Sequence, residues 1–263
     1  MRWTAEKIKN LKGKHKIPVL TAYDALTASL VDGADVPMVL VGDSLGMTVL
    51  GYDTTLPVSM DEMLHHTKAV SRGVKHALVV ADMPFMSYQP SLEIGLGNAG
   101  RFIKEAGADA VKVEGGMMRS ELIEALVGNG IPVLGHIGLT PQSIKAMGGY
   151  KVQGKTSEKA RQLLDDAMAV EQAGAFALVL ECVPAELGEM ISSALTIPTI
   201  GIGAGVGCDG QILVFTDLLG MSDKPAPKFV KKYANLNPII TEALAAYKAE
   251  VESGTYPSEE QAY

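Results

Sequence analysis

The chain is expected to fold as one α/β domain spanning residues 1–263, a closed (β/α)8 barrel of TIM type with a short helix before it and a helix and tail after it. Three observations carry this expectation. Eight short apolar runs succeed one another, most followed by a helical stretch, which is the alternation that builds a parallel sheet. Runs such as Met38-Val39-Leu40-Val41 are unbroken by polar residues, as suits strands buried on both faces. Finally, 263 residues accommodate eight such units in one domain, and no Pro/Ser-rich linker or low-complexity segment marks a boundary.

Thr4 to Leu11 reads as a short amphipathic helix with Thr4 as N-cap. The first strand, Pro18 to Asp24, ends in an acid, and helix Ala25 to Leu30 follows, ended by Gly33. The second strand, Met38 to Ser44, runs into Asp43. After the loop Gly51 to Pro57, Ser59 and Glu62 have the spacing of a capping box. The helix they open carries His65, His66 and Lys68 and stops near Gly73. Strand three is Ala77 to Asp82, followed by a helix over Ser91 to Ala106 that three glycines weaken by roughly 1 kcal/mol each. Strand four, Ala110 to Gly116, alternates so that Lys112 and Glu114 share a face. Helix Ser120 to Val127 leads to strand five, Pro132 to His136, and a glycine-rich loop leads to the long helix Ser157 to Ala173. Strand six is Phe176 to Glu181, with helix Ala185 to Leu195 after it. Strand seven is Pro198 to Ile202 and strand eight Gln211 to Thr216. A terminal helix over Pro238 to Glu252 takes Asn237 as its N-cap, and Ser253 to Tyr263 forms a tail or an oligomer arm.

Composition excludes several functions. The net charge is −7, and nucleic-acid binding needs clustered Lys and Arg. The basic runs Lys7 to Lys16 and Lys228 to Lys232 read as solvated terminal faces. No apolar run approaches the ~20 residues of a membrane span, and the N-terminus lacks the apolar core of a signal peptide. Two cysteines are too few for a disulfide framework. A soluble, cytoplasmic protein is expected, with no nucleic-acid or membrane partner. Cys182 reads as a small core residue, and Cys208 as an adventitious thiol in a glycine-rich loop.

Barrel enzymes carry their chemistry at the C-terminal ends of the strands. Those ends supply Asp24, Asp43, Asp82, Lys112 with Glu114, His136 and Glu181. Acids gathered on one rim repel one another unless a cation lies among them, and oxygen ligation suits a hard divalent ion, Mg²⁺ first. Asp24 is better read as a helix N-cap or a supporting group. Lys112 is an ion-pair partner of Glu114, a Schiff-base lysine, or an anion-binding ammonium, which the neighbouring acids favour. His136 is either a core histidine or a substrate contact. His65 and His66 belong on a helix surface. Gly201 to Gly207 mimics a dinucleotide fingerprint but lacks a surrounding βαβ unit, so a tight loop at the rim is the better reading.

Several ordered segments resemble one known family. They are Val41 to Met47, Thr54 to Val58, Ala81 to Phe85, Val111 to Gly116, Gly135 to Gln142, Leu180 to Pro184, Gly201 to Gln211 and the tail motif Glu250 to Pro257. Together they resemble the ketopantoate hydroxymethyltransferase family over nearly the whole chain. Gln261 stands where the family is expected to carry a histidine. The resemblance implies Mg²⁺-dependent transfer of a one-carbon unit from 5,10-methylenetetrahydrofolate to 3-methyl-2-oxobutanoate. The product is 2-dehydropantoate, on the route to pantothenate and coenzyme A. It implies that Asp43, Asp82 and Glu114 hold or surround the metal, and that Ser44 and Lys112 bind the oxo acid. Glu181 is implied as the proton acceptor, and the assembly as a homo-oligomer, typically a decamer. With Asp43, Asp82 and His136 added, these residues form the expected substrate site.

Two rivals stand beside this reading. A Mg²⁺-dependent 2-oxo acid lyase or mutase of the phosphoenolpyruvate mutase and isocitrate lyase kind would share the barrel and the acidic rim without needing folate. Such lyases often carry a loop cysteine, and no cysteine has a comparable setting. A non-catalytic barrel would have no use for aligned rim acids.

Overall fold

The computed structural model describes residues 2–223 and 225–263, and in it eight parallel strands close into a barrel in sequence order. The strands are β1 (Ile17–Thr21), β2 (Met38–Val41), β3 (Leu78–Asp82), β4 (Ala110–Glu114), β5 (Val133–Gly138), β6 (Ala177–Glu181), β7 (Thr199–Ile202) and β8 (Gly210–Leu213). β8 pairs back onto β1 from Ile17↔Gly210 to Leu20↔Leu213, which removes any open sheet edge.

The helices are α1 (Ala5–Lys9), α2 (Ala25–Gly33), α3 (Leu45–Thr48), α4 (Met60–Gly73), α5 (Leu92–Ala106), α6 (Ser120–Gly128), α7 (Ile144–Met147), α8 (Ser157–Gln172), α9 (Ala185–Ala194), α10 (Phe215–Leu218) and α11 (Leu236–Ser253). The sequence does not announce α3, α7 or α10, because a single turn is too short to display a helical period. The long helices start where their caps stand. Thr4, Asp24, Ser91 and Thr156 each accept a backbone N–H three residues on, and Ser59 and Glu62 cap reciprocally.

Tertiary contacts divide the chain into two compact units, Met1–Val214 and Phe215–Tyr263. The first holds the barrel. Its interior is filled by inward side chains from alternate strand positions, among them Val19, Met38, Leu40, Val80, Leu134 and Ile212, and Ile8 of α1 joins that cluster. In the second unit α11 begins two residues earlier than expected. Its N-cap is Asn235, while Asn237 lies in the first turn and donates Nδ2–H to the Met221 carbonyl. Pro238 is still tolerated there, since first-turn N–H groups have no helical partner. The tail ends in a short turn capped reciprocally by Ser258 and Gln261. Among the described residues, no helix is long and apolar enough to cross a membrane.

A second set of acids serves the fold alone. Asp32 of α2 accepts the backbone N–H groups of Lys75, His76 and Ala77 at 2.9, 2.9 and 2.7 Å, fixing the approach to β3. Asp209 receives Thr199 N–H and Lys12 Nζ just before β8, and Glu171 receives Thr196 and Ile197 N–H before β7. Burial pushes the Asp32 carboxyl up, but the three N–H donors and His76 outweigh it and hold it below the usual carboxylate range.

Asp32→Ala orphans three donors and is expected to cost about 3 kcal/mol in urea denaturation at pH 7. Because the folded pKa is depressed, Asp32's contribution is complete above the unfolded value of about 3.9 and is lost as pH falls through the lower folded value. The gap between wild type and variant should therefore close in acid. A gap that widened below pH 4 would contradict the assignment.

Candidate active site

The C-terminal ends of β2 to β6 bring most of the nominated residues together. Asp43 lies two residues past β2, Asp82 ends β3, Lys112 and Glu114 lie on β4, His136 lies on β5 and Glu181 ends β6. Strand register sets Asp82 beside Lys112, Glu114 beside His136, and Gly138 beside Glu181. Asp43, Asp82, Lys112, Glu114 and His136 are each between 3 and 5% exposed, so this charge cluster is almost wholly out of water. Asp24 takes no part; it is exposed and caps α2 through Thr27 N–H, as the N-cap reading expects. Ser44 is half-buried, with its hydroxyl 2.9 Å from Tyr23 Oη. His65 is exposed, whereas His66 bonds the Tyr23 carbonyl through Nδ1 at 2.6 Å.

Lys112 is the centre of the cluster. Its Nζ lies 2.6 Å from Asp82 Oδ1, 3.7 Å from Glu114 Oε1 and 3.1 Å from His136 Nδ1. Burial opposes its charge, but Asp82, Glu114 and Asp43 outweigh that and hold the ammonium protonated above its ordinary range. His136 spans two acids, with Nδ1 3.5 Å from Glu114 Oε1 and Nε2 3.2 Å from Glu181 Oε2. Burial and Lys112 pull its pKa down, yet Glu114 and Glu181 push it up to about 9. Asp43 and Asp82 are both raised: burial and then Asp82 and Glu114 lift Asp43 well above the carboxylate range, and burial lifts Asp82 against the pull of Lys112. Glu114 is held low, as Lys112 and His136 overcome its burial.

An uncharged cradle that the sequence does not reveal aims these acids. Gln142 donates Nε2–H to Asp43 Oδ2 at 3.0 Å and to the Met83 carbonyl at 2.9 Å, and its backbone N–H goes to Glu114 Oε2 at 3.1 Å. Tyr88 donates its hydroxyl to Gln142 Oε1 at 2.8 Å, fixing which end of the amide faces Asp43. The Asp43 backbone N–H donates to Asp82 Oδ2 at 3.0 Å. Gln142 follows Thr140-Pro141 and Tyr88 lies in the β3–α5 loop, positions that no spacing rule singles out.

Oxygen donors of this kind suit a hard divalent cation. Asp82 Oδ1 meets Lys112 as an ion pair whose angles fall outside a hydrogen bond, leaving a buried oxygen with acceptor capacity. As they stand, no group of three or more His, Cys, Asp and Glu among the described residues is set to hold a metal ion. Lys112 is what reaches Asp82 and Glu114 instead.

Cys182 departs from the core position expected of it. Cys182 is half-buried on the rim at φ +49°, where burial and then Glu181 push its thiol up to about 11. Cys208 is the buried one, packed inside the Gly201–Gly207 loop, because that loop folds back tightly on the end of β7.

The model of one protein family, described as ketopantoate hydroxymethyltransferase, matches residues 2–259. The 3-methyl-2-oxobutanoate hydroxymethyltransferase of Clostridium novyi (strain NT) is 58% identical over 99% of this chain and 94% of its own length. That of Syntrophus aciditrophicus (strain SB) is 56% identical over 99% of this chain and 96% of its own length. Among solved structures, a phosphoenolpyruvate phosphomutase from Streptomyces platensis subsp. rosaceus superposes with a TM-score of 0.63 at 15% identity, covering 99% of this chain and 92% of that one. A 2,3-dimethylmalate lyase of the PEP mutase/isocitrate lyase superfamily gives 0.61 at 16%, covering 100% and 93%. At such identities these two establish the shared barrel alone.

Removing the ammonium leaves buried carboxylates facing one another. Lys112→Met is expected to lower stability in metal-free buffer by about 3–5 kcal/mol, measured by denaturant unfolding with chelator present. A loss under about 1 kcal/mol, the range of an exposed pair, would mean Lys112 is not what holds the acids together.

Proposed function

Because the chain belongs to the ketopantoate hydroxymethyltransferase family, it is a 3-methyl-2-oxobutanoate hydroxymethyltransferase of pantothenate biosynthesis, and we propose that its barrel mouth performs the transfer. That identity implies 5,10-methylenetetrahydrofolate as co-substrate and 2-dehydropantoate as product. The observation carrying the site assignment is the buried Lys112 ammonium, 2.6 Å from Asp82 and held among Glu114, Asp43 and His136.

In this reading Asp43, Asp82 and Glu114 hold Mg²⁺. When bound, the ion would supply Lewis-acid polarisation of the 2-oxo acid. The protein's own groups do the rest. Lys112, kept protonated, is no Schiff-base amine; it neutralises charge on the oxo oxygen as C3 loses its proton. Glu181 takes that proton. It is the least buried acid of the cluster, its side chain 15% exposed toward the mouth, so a substrate can reach it. His136, between Glu114 and Glu181, orients the base and contacts substrate. Ser44, backed by Tyr23, and the Asp43 and Asp82 carboxylates complete the oxo-acid pocket. The resulting C3 carbanion equivalent bonds to the methylene carbon of the folate; both carbon–nitrogen bonds of that carbon break, water supplies the product's hydroxyl oxygen, and the two tetrahydrofolate nitrogens take up one proton from that water and the one Glu181 removed.

The lyase or mutase alternative loses its footing. The family match runs from residue 2 to 259, whereas the solved lyases and mutases share only the fold. Residues 1–263 are proposed to act as one functional domain, in a cytoplasmic homodecamer. Ile240, Leu244, Tyr247 and Val251, exposed along one face of α11, support self-association, which sedimentation equilibrium tests.

Glu181→Gln is expected to bind 3-methyl-2-oxobutanoate nearly as well as wild type but to stop C3 hydrogen exchange in deuterated water; undiminished exchange removes it as the base. Asp43→Ala and Asp82→Ala should abolish Mg²⁺-dependent substrate binding in calorimetry. Lys112→Ala should raise KM for the oxo acid and lower kcat together.

A further inference from the structure

The two ends of an oxo acid meet different surroundings at this barrel mouth. Asp43, Asp82, Lys112, Glu114 and His136 form a buried, charged floor, which suits a carboxylate and an oxo oxygen. The alkyl end then points outward, past Glu181, and the mechanism above assigns nothing to receive it. The loop between α7 and α8 stands in that direction. Gly148 and Gly149, at φ +67° and +111°, turn the chain out of α7 in left-handed backbone that glycine adopts without strain, and Tyr150 follows them.

Two bonds set Tyr150 across the mouth. Gln153, three residues on, donates its backbone N–H to the Cys182 carbonyl at 2.8 Å, which ties the loop to the residue after Glu181. At the other end the Tyr150 hydroxyl donates to Met47 Sδ at 3.7 Å, in the short helix α3 that follows Ser44. β2 and β6 stand four strands apart in a closed ring of eight, so the two anchors lie on opposite sides of the barrel. The phenol ring thus bridges from the side of the proposed base to the side of Ser44. Its electrostatics agree. Burial, then Glu181 and Asp43, push the phenol above its ordinary value, so both acids act on it and it stays a neutral O–H at pH 7. Tyr150 is 56% and Met47 38% exposed, so neither belongs to the core.

We infer that Tyr150, with Met47 beside it, is the apolar cover over C3 of the oxo acid and selects a branched 2-oxo acid over an unbranched one. The assignment rests on the transferase reading of the mouth and adds which part of the substrate is recognised there. With the oxo oxygen at Lys112 and C3 facing Glu181, the methyl groups on C3 lie against the ring and are shielded from water on that side. An unbranched acid such as 2-oxobutanoate leaves one methyl contact unmade, and a contact of that size in an apolar pocket is worth roughly tenfold in kcat/KM. The ring does the covering. A thioether is a weak acceptor, so the hydroxyl adds little beyond steering the ring toward Met47.

C3 deuterium exchange of 3-methyl-2-oxobutanoate and 2-oxobutanoate, competing in one tube, reads the ratio of their kcat/KM values and needs no folate. The unequal intrinsic acidity of the two acids is common to every variant and cancels when each ratio is divided by that of wild type. Tyr150→Phe keeps the ring, and its ratio should stay within about twofold of wild type. Tyr150→Ala removes the cover and should lower the ratio about fivefold or more, chiefly by slowing exchange of the branched acid. A ratio unchanged in Tyr150→Ala, even with both rates reduced, overturns the assignment, and so does a Tyr150→Phe variant that behaves like the alanine. Should Tyr150→Ala unfold at lower temperature than wild type, Met47→Ala takes its place: a lowered ratio there supports the cover, and an unchanged one overturns it. A wild-type protein that exchanges neither acid overturns the transferase reading itself, whereas exchange of 3-methyl-2-oxobutanoate with an unchanged Tyr150→Ala ratio overturns the cover alone.

Discussion

A single ammonium, that of Lys112, decides how the mouth of this barrel is arranged. Four carboxylates converge there, three of them almost wholly buried, and like charges in so dry a place cannot all stay ionised unaided. The molecule answers in two ways. Lys112 balances Asp82 and Glu114, and His136 stands between Glu114 and Glu181, while Asp43 is pushed toward its neutral form and steadied by Gln142.

Much of this is written locally in the chain. The eight apolar runs are strong period signals, and each acid that ends one of them is visible because a strand buried on both faces leaves little other use for it. Asp24 could be set apart from Asp43 by the same logic, since a helix begins directly after it and its side chain takes the Thr27 N–H. Gln142 and Tyr88 were illegible for the opposite reason. Neither is charged, neither follows a strand directly, and their value lies wholly in bonds to residues 26 to 99 positions away along the chain. Cys182, read as a core residue, is only half-buried, whereas the glycine-rich loop folds tightly around Cys208. The start of α11 slipped by two residues because a proline is compatible with more than one first-turn position.

The relatives and the solved structures separate fold from chemistry. Mutases and lyases at about one-seventh identity keep the closed barrel, so the barrel by itself names no reaction. Full-length matches above half identity name the transferase, and the rim says which groups are available to carry it out.

The acids of this chain divide into two trades. Asp32, Glu171 and Asp209 spend their oxygens on backbone N–H groups that lead into strands, while Asp43, Asp82 and Glu181 stand where strands finish. Endurance and turnover are thus lodged at opposite poles of one cylinder. An engineer seeking a heat-tolerant version can rework the entry pole freely without touching the groups that handle substrate, and a lineage drifting toward a new oxo acid can do the reverse.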